Sequence, residues 1–209
     1  MKTFVISILM CLSSTIASAQ VERWGMFETS LTAPLTKENP FNVELKAIFE
    51  NADTAKYFID VGKYWIKEFG IDGWRLDVAD EIPISFWHKF RSGIKSIKKD
   101  ALLLGETWGD AGKLINSSRL DTAMNYLFKD AVVDWVSKKK IKAKEFSNRI
   151  NKMLSLYPEE VSLRMYNPLD SHDTKRFLRE CDDDITKFKL AIALQMTMPG
   201  CPAIFHGDE

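Results

Sequence analysis

The sequence predicts an α/β fold in which parallel strands alternate with crossover helices. Three observations carry this. Apolar residues recur at helical spacing over several long stretches, short β-branched or leucine-rich runs sit between those stretches, and the links are short, with no Gly-, Ser- or Pro-rich linker and no internal repeat. Strands alternating with helices over short links make a parallel sheet covered by helices.

The chain opens with MKTFVISILMCLSSTIASAQ. Lys2 supplies a positive start, Phe4 to Leu12 an apolar stretch, and Ala17-Ser18-Ala19 a small-x-small cleavage pattern. This predicts a secretory signal peptide over residues 1–19, cut after Ala19. A membrane-spanning helix needs about 20 apolar residues, and Ser13, Ser14, Thr15 and Ser18 interrupt the stretch too early. The expected location is therefore secreted or periplasmic, with no membrane attachment after signal removal. Residues 20–209 form the expected mature domain.

Residues 20–45 are polar and hold Pro34 and Pro40, which predicts an irregular segment. From Ala55, the positions Phe58, Ile59, Gly62, Trp65, Ile66 and Phe69 predict a helix that stops at Gly70. Ile71–Ala79 reads as a strand, and Ser85 as the cap of a helix with Trp87, Phe90, Ile94 and Ile97 on one stripe. Ala101–Leu104 fits a fully buried strand. Thr122–Phe128 reads as the next strand, followed by helical stretches over Ala131–Ser137 and Ala143–Leu156. Arg164–Leu169 is a strand, Asp184–Met196 a helix with Asp184 as N-cap, and Ala203–Phe205 a last short strand after the Pro199-Gly200 break.

Composition excludes several classes. Lys+Arg and Asp+Glu both total 29, so the net charge is zero; that argues against a nucleic-acid partner and against electrostatic membrane attachment. The lysines at 138, 139, 140, 142 and 144 read as a solvated helix end. Export would permit a disulfide between Cys181 and Cys201, but two cysteines make no framework and two independent thiols are the favoured reading; no CxxC or His/Cys cluster has zinc-ligand spacing. GxSxG, GxxxxGK[ST] and GxGxxG are all missing from the sequence. Six Trp, five Tyr and thirteen Phe suit a large core, with some left to stack on the apolar face of a ligand.

The chemistry gathers where strands end. In Asp72-Gly73-Trp74-Arg75-Leu76-Asp77-Val78-Ala79-Asp80-Glu81, Arg75 and Asp77 share one strand face, and a carboxylate beside a guanidinium is held ionised, as a nucleophile needs. In Leu104-Gly105-Glu106-Thr107-Trp108, Glu106 follows an apolar strand, where partial burial against Trp108 would raise its pKa as a general acid requires. In Leu169-Asp170-Ser171-His172-Asp173-Thr174, a His-Asp pair again follows a strand. Taken singly, these segments read as an ion pair, a cap and a turn. Three carboxylates at the ends of three strands match the placement of catalysis in barrel enzymes, and two carboxylates flanking a bond are the minimum for glycoside hydrolysis.

At these residues the chain resembles the α-amylase family, family 13 of the glycoside hydrolases. DGWRLDVADE, GETWGD and LDSHDT are similar to that family's second, third and fourth signature motifs, in family order. TAMNYLF and PGCPAIFHGDE also resemble family segments, and WRLDVADEIPISFWHKFR with LDTAMNYLFKD resembles the cyclomaltodextrinase, neopullulanase and maltogenic amylase branch. The resemblance covers roughly residues 35–209. It implies a (β/α)8 TIM barrel, here partial, supplying about strands four to eight, with open edges at the strands near Ile71 and Ala203.

The resemblance also implies roles. Asp77 is the expected nucleophile, Glu106 the general acid/base and Asp173 the third carboxylate; Arg75 orients the nucleophile, His172 bonds the sugar, and Glu81 and Trp108 line neighbouring subsites. The implied reaction is retaining hydrolysis of α-1,4-glucosidic bonds in starch-like oligosaccharides or cyclodextrins, with the Asp77 and Glu106 carboxyls about 5–5.5 Å apart. Transglycosylation and a non-catalytic α-glucan-binding role are the alternatives. No cofactor follows from the residues. The resemblance implies calcium as the ion to test for and a homodimer as the branch's habit, beside an α-glucan or maltooligosaccharide substrate. The family's first motif, of Asp-x-x-x-Asn-His type, has no counterpart upstream of Ile71.

Overall fold

The computed structural model describes residues 6–8 and 49–209. They fall into two compact units. One runs up to Glu106 and takes in Ser117–Leu120; the other holds Thr107–Asn116 and Asp121–Glu209. No helix among the described residues is long and apolar enough to cross a membrane.

The first unit contains β1 (Ile6–Ile8), α1 (Ala52–Phe69), β2 (Gly73–Leu76), α2 (Ile84–Lys95) and β3 (Leu102–Gly105). The Asn51 side chain accepts from the Asp53 and Thr54 amides at 3.0 and 3.1 Å and so starts α1. Gly70, at φ 64°, ends it in the left-handed conformation, donating to the Ile66 carbonyl. α1 and α2 cross where Gly62 leaves room: a Cβ there would lie 2.8 Å from Ile94 and 2.9 Å from Phe90. Trp74, on β2, reaches back to the Gly62 carbonyl with its indole N–H at 3.3 Å.

Several boundaries differ from the sequence reading: α1 begins at Ala52 rather than Ala55, and β3 runs one residue later than the expected Ala101–Leu104, with Leu102 exposed rather than buried. α2 starts after Pro83, ahead of the expected cap Ser85, because the fixed φ of proline already suits the residue before a first turn. Ile97 lies beyond the helix end and is exposed. β2 stops at Leu76, not Ala79, because Val78 has a positive φ of 40° and breaks the strand.

β2 pairs in parallel with β3, with Trp74 opposite Leu103 and Leu76 opposite Gly105. All four β2 residues are buried, as expected for a parallel strand. The edge of β2 expected to be open carries β1 in parallel, Ile6 opposite Trp74 and Ile8 opposite Leu76. β1 lies inside the stretch read as the apolar part of a signal peptide. The cleavage position after Ala19 and the irregular segment 20–45 lie outside the described residues.

The second unit contains β4 (Thr122–Ala123), α3 (Tyr126–Val132), a π-helical turn (Val133–Ser137), α4 (Ala143–Leu154), α5 (Glu159–Ser162), β5 (Tyr166–Pro168), α6 (Phe177–Glu180), α7 (Ile185–Thr197) and β6 (Cys201–Ala203). The strand expected over Thr122–Phe128 is thus only two residues long. Asn125 ends it by accepting from the Phe128 amide at 3.3 Å, which caps α3. Met124 still bridges to Tyr166. Asp184 caps α7 as predicted, accepting from Thr186 and Lys187.

β5 and β6 pair in parallel, Tyr166 opposite Cys201 and Pro168 opposite Ala203. β6 ends where the sequence reading began it. Gln195 of α7 donates to the carbonyls of Asn167 and Ala203, both at 2.9 Å, and locks the helix onto both strands. Asn125 donates to the Asn167 side chain at 2.7 Å, so the buried amides satisfy one another. The core beside them comprises Phe128, Val132, Phe146, Ile150, Phe177 and Phe188. Cys181 is buried, Cys201 is exposed, and both are free thiols. The lysines of the 138–144 run are exposed.

Candidate active site

The register of β2 and β3 sets the first part of the site. Leu76 lies opposite Gly105, so the next residues, Asp77 and Glu106, leave the sheet side by side at the strands' carboxyl ends. Two backbone bonds hold them there: Glu106 donates to the Leu76 carbonyl at 2.8 Å, and Ala79 donates to the Glu106 carbonyl at 2.9 Å.

One guanidinium serves both carboxylates. Arg75 Nη1 contacts Asp77 Oδ1, and Nη2 lies 2.8 Å from Glu106 Oε1, an ion pair by distance whose angle falls outside hydrogen-bond geometry. The other Glu106 oxygen accepts from the Val78 amide at 3.0 Å. Glu106 is 2% exposed. Burial raises its pKa, as does the neighbouring Asp77, while the Val78 amide and Arg75 pull it down; the net direction is upward. The upward direction is the one the sequence reading expected from partial burial. Glu81 is partly buried just beyond the β2 turn, and burial, followed by the charge of Asp80, raises its pKa as well.

The second unit places the other expected residues. Trp108 is half exposed and lies flat on the buried Tyr126, ring centroids 4.2 Å apart and planes within 4°. One of its faces is therefore fixed by packing. His172 and Asp173 are both exposed on the turn after β5, with His172 Nε2 3.0 Å from Asp173 Oδ2. The turn closes through Ser171, whose amide donates to Thr174 Oγ1 at 2.8 Å. Asp173 donates its amide to Ser171 Oγ at 3.3 Å, and Ser171 Oγ meets the Tyr126 hydroxyl at 3.0 Å.

Within the first unit the structure thus brings Arg75, Asp77 and Glu106 into one cluster, and within the second it pairs His172 with Asp173. Sequence reasoning missed two contributors. Val78 contributes through its amide, which no side-chain pattern reveals. Tyr126, read as part of a strand, proves to be the bed of Trp108; its neighbour Asn125, a good N-cap type, was the signal that a helix begins there.

Among the described residues no group of three or more His, Cys, Asp or Glu side chains is arranged to hold a metal ion. A hollow of about 470 Å³ beside α3 and α4 is lined by Leu127, Ala131, Arg149, Lys152 and Met153 and contains none of these expected residues.

Comparison with known proteins identifies the family. Residues 40–209 match the alpha-amylase family described as alpha amylase, catalytic domain. The chain is 40% identical over 185 residues to neopullulanase 2 of Thermoactinomyces vulgaris, covering 84% of this chain and 32% of that protein. It is 36% identical over 180 residues to the intracellular maltogenic amylase of Bacillus subtilis, covering 86% and 29%. A solved cyclomaltodextrinase structure superposes with a TM-score of 0.75 at 42% identity, covering 77% of this chain and 27% of that one. The chain therefore spans about a third or less of the length of these relatives. The match over residues 40–209 shows that this chain belongs to the α-amylase family of glycoside hydrolases.

Proposed function

We propose that the chain is a retaining glycoside hydrolase acting on α-1,4-glucosidic bonds of maltooligosaccharides or cyclodextrins, with its strands β2 to β6 in the places of the family barrel's fourth to eighth. The observation that carries this reading is the shared guanidinium. Arg75 holds two carboxyl groups at adjacent strand ends, and one of them, Glu106, has a raised pKa. Two carboxyls in unlike environments divide the labour of a nucleophile and an acid.

In the first step Asp77 attacks the anomeric carbon while Glu106 gives its proton to the departing glycosidic oxygen. The C–O bond breaks and a glycosyl ester of Asp77 forms. In the second step Glu106 takes a proton from water, the water oxygen bonds to the anomeric carbon, and Asp77 leaves as carboxylate. Asp173 and His172 bind hydroxyls of the sugar ring; Glu81 and Trp108 contact the neighbouring sugars.

A second reading rests on Trp108. Its half-exposed face, fixed on Tyr126, offers a stacking surface for an acceptor sugar. A sugar hydroxyl that takes the place of water in the second step makes the reaction a transglycosylation. Product lengths from maltotriose separate the two: only shorter products mean hydrolysis, longer ones transfer.

The test is hydrolysis of maltotriose, cyclodextrin and pullulan by the purified chain, beside Glu106→Gln. Product release that disappears in the variant supports the reading. No release from the unmodified chain, with heat of binding to maltoheptaose retained, assigns a non-catalytic glucan-binding role. We also propose export, from the pattern of residues 1–19; recovery of the chain in the cytoplasm with its first residues intact would refute it. A homodimer is the expected assembly, and sedimentation of the purified chain checks it.

A further inference from the structure

We propose that Asp208 is a positioning residue: together with Arg176 it clamps the buried Asp170, through a proton shared between the two carboxyls, and so holds the turn that carries His172 and Asp173. The functional consequence rests on the reading above, in which that turn binds sugar; the clamp itself does not.

The geometry begins at Asp170, the residue just before the turn. Its side chain is wholly buried. Oδ2 accepts from the Phe177 amide at 2.8 Å and lies 3.5 Å from Arg176 Nε. Oδ1 is buried with no donor. A buried carboxylate oxygen without a donor is costly, and an explanation is required.

Asp208 supplies one. It follows β6 in the chain, its side chain is only 8% exposed, and Arg176 Nη2 donates to its Oδ1 at 3.0 Å. One guanidinium therefore bridges both acids, Nε toward Asp170 and Nη2 toward Asp208. The guanidinium also rests on the Phe205 ring, 4.8 Å from its centroid. Two carboxyls against one guanidinium carry one negative charge too many for a buried site. A proton on Asp208, donated to Asp170 Oδ1, removes the excess and satisfies the orphaned oxygen.

The groups facing Asp208 support this. Burial, then the charge of Asp170 and its hydrogen bond, push the Asp208 carboxyl up to about 6, against the opposing pull of Arg176 and of a hydrogen bond from the Phe205 backbone. His206 and Glu209 are the other charged or titratable groups on its own segment. The sign follows. A carboxyl raised in the folded chain contributes fully below its ordinary value near 3.8, and that contribution is lost as pH rises through about 6. Above that pH two carboxylates face each other, and Arg176 alone restrains the turn.

Two measurements on the full chain test the clamp without substrate. Carbon-13 carboxyl NMR should show one proton retained by the Asp170–Asp208 pair to near pH 6; two carboxyls titrating independently at ordinary values would overturn the proposal. Amide hydrogen exchange, corrected for its intrinsic pH dependence, should show the Phe177 and Ser171–Thr174 amides losing protection several-fold between pH 5 and 7.5. Asp208→Asn carries a permanent donor toward Asp170 and should flatten that change; an unaltered pH dependence in the variant counts against the clamp. If the variant does not fold, the carboxyl titration of the unmodified chain decides. Maltotriose hydrolysis, run alongside, should fall with pH less steeply in Asp208→Asn than in the unmodified chain, the loss due to Glu106 being common to both. An unmodified chain without activity refutes the proposed function and leaves the clamp to the two spectroscopic readouts.

Discussion

The Val78 amide donates to Glu106 Oε2 across 3.0 Å, from a backbone held at φ 40°. A β-branched residue at positive φ is an outlier, and such conformations cost about 1–3 kcal/mol. The bend turns the amide that follows the expected nucleophile toward the expected acid. Strain in the chain and the environment of Glu106 are thus one feature.

This strain reverses a usual order of stability. Glycine ordinarily destabilises relative to alanine, but at positive φ alanine keeps the strain and glycine relieves it. Val78→Gly should unfold at higher denaturant than Val78→Ala, by about 1 kcal/mol. Urea melts of the two variants check this, and alanine as the more stable one would show that the bend is unstrained.

Arg75 should be the costliest of the site residues to remove. Its loss leaves Asp77 and Glu106 facing each other with no cation, and breaking a buried pair costs about 3–5 kcal/mol. Arg75→Leu is expected to lose that much in chemical denaturation. Arg75→Lys should recover part of the stability but not the fork that serves both carboxyls. Equal melts for the leucine variant and the unmodified chain would remove Arg75 from the structural account.

Glu106 should make the chain pH-dependent in a defined sense. Its pKa is raised from 4.5, chiefly by burial. The contribution to stability is therefore complete below about 4.5 and is lost as pH rises through the raised folded value. Glu106→Gln, which imitates the protonated side chain, should equal the unmodified chain at acid pH and exceed it in melting temperature at pH 8. Catalysis runs the other way in the variant, which has no proton to give. In the unmodified chain, turnover should fall as pH rises past the raised value.

Tyr126 links two parts of the second unit, and its stack under Trp108 and its bond to Ser171 separate by mutation. Tyr126→Phe keeps the stack under Trp108 and loses the bond to Ser171, for about 0.5–1.5 kcal/mol. Tyr126→Leu loses the stack too, for about another 0.5–1.5 kcal/mol. Trp108 fluorescence should shift red only in the leucine variant. A shift in both would mean that the hydroxyl, not the ring face, holds Trp108 in place.

Much of the local structure was legible because single residues carry it. Gly70 and Asp184 were readable as a helix stop and a helix start, and both hold. Thr122–Phe128 reads as a strand by its β-like run, and the Asn125 side chain that ends it and caps the next helix shows only in the structure. The strand ends moved because pairing and backbone conformation set them: β2 ends where Val78 bends, and β6 sits where Gln195 and Tyr166 reach its backbone.

The site divides in the same way. The order and types of Arg75, Asp77, Glu106, His172 and Asp173 were readable along the chain, because chemistry needs particular side chains and strand alternation puts Arg75 and Asp77 on one face. Contacts between residues far apart in the chain were not. The Arg75 fork that reaches Glu106, the Val78 amide, the flat seat of Trp108 on Tyr126 and the Asp170–Arg176–Asp208 cluster all depend on packing between segments 18 to 38 positions apart. Side-chain identity states what a residue is able to do; burial, register and a bent backbone, which arise only when distant segments meet, set which proton it keeps and which neighbour it answers to.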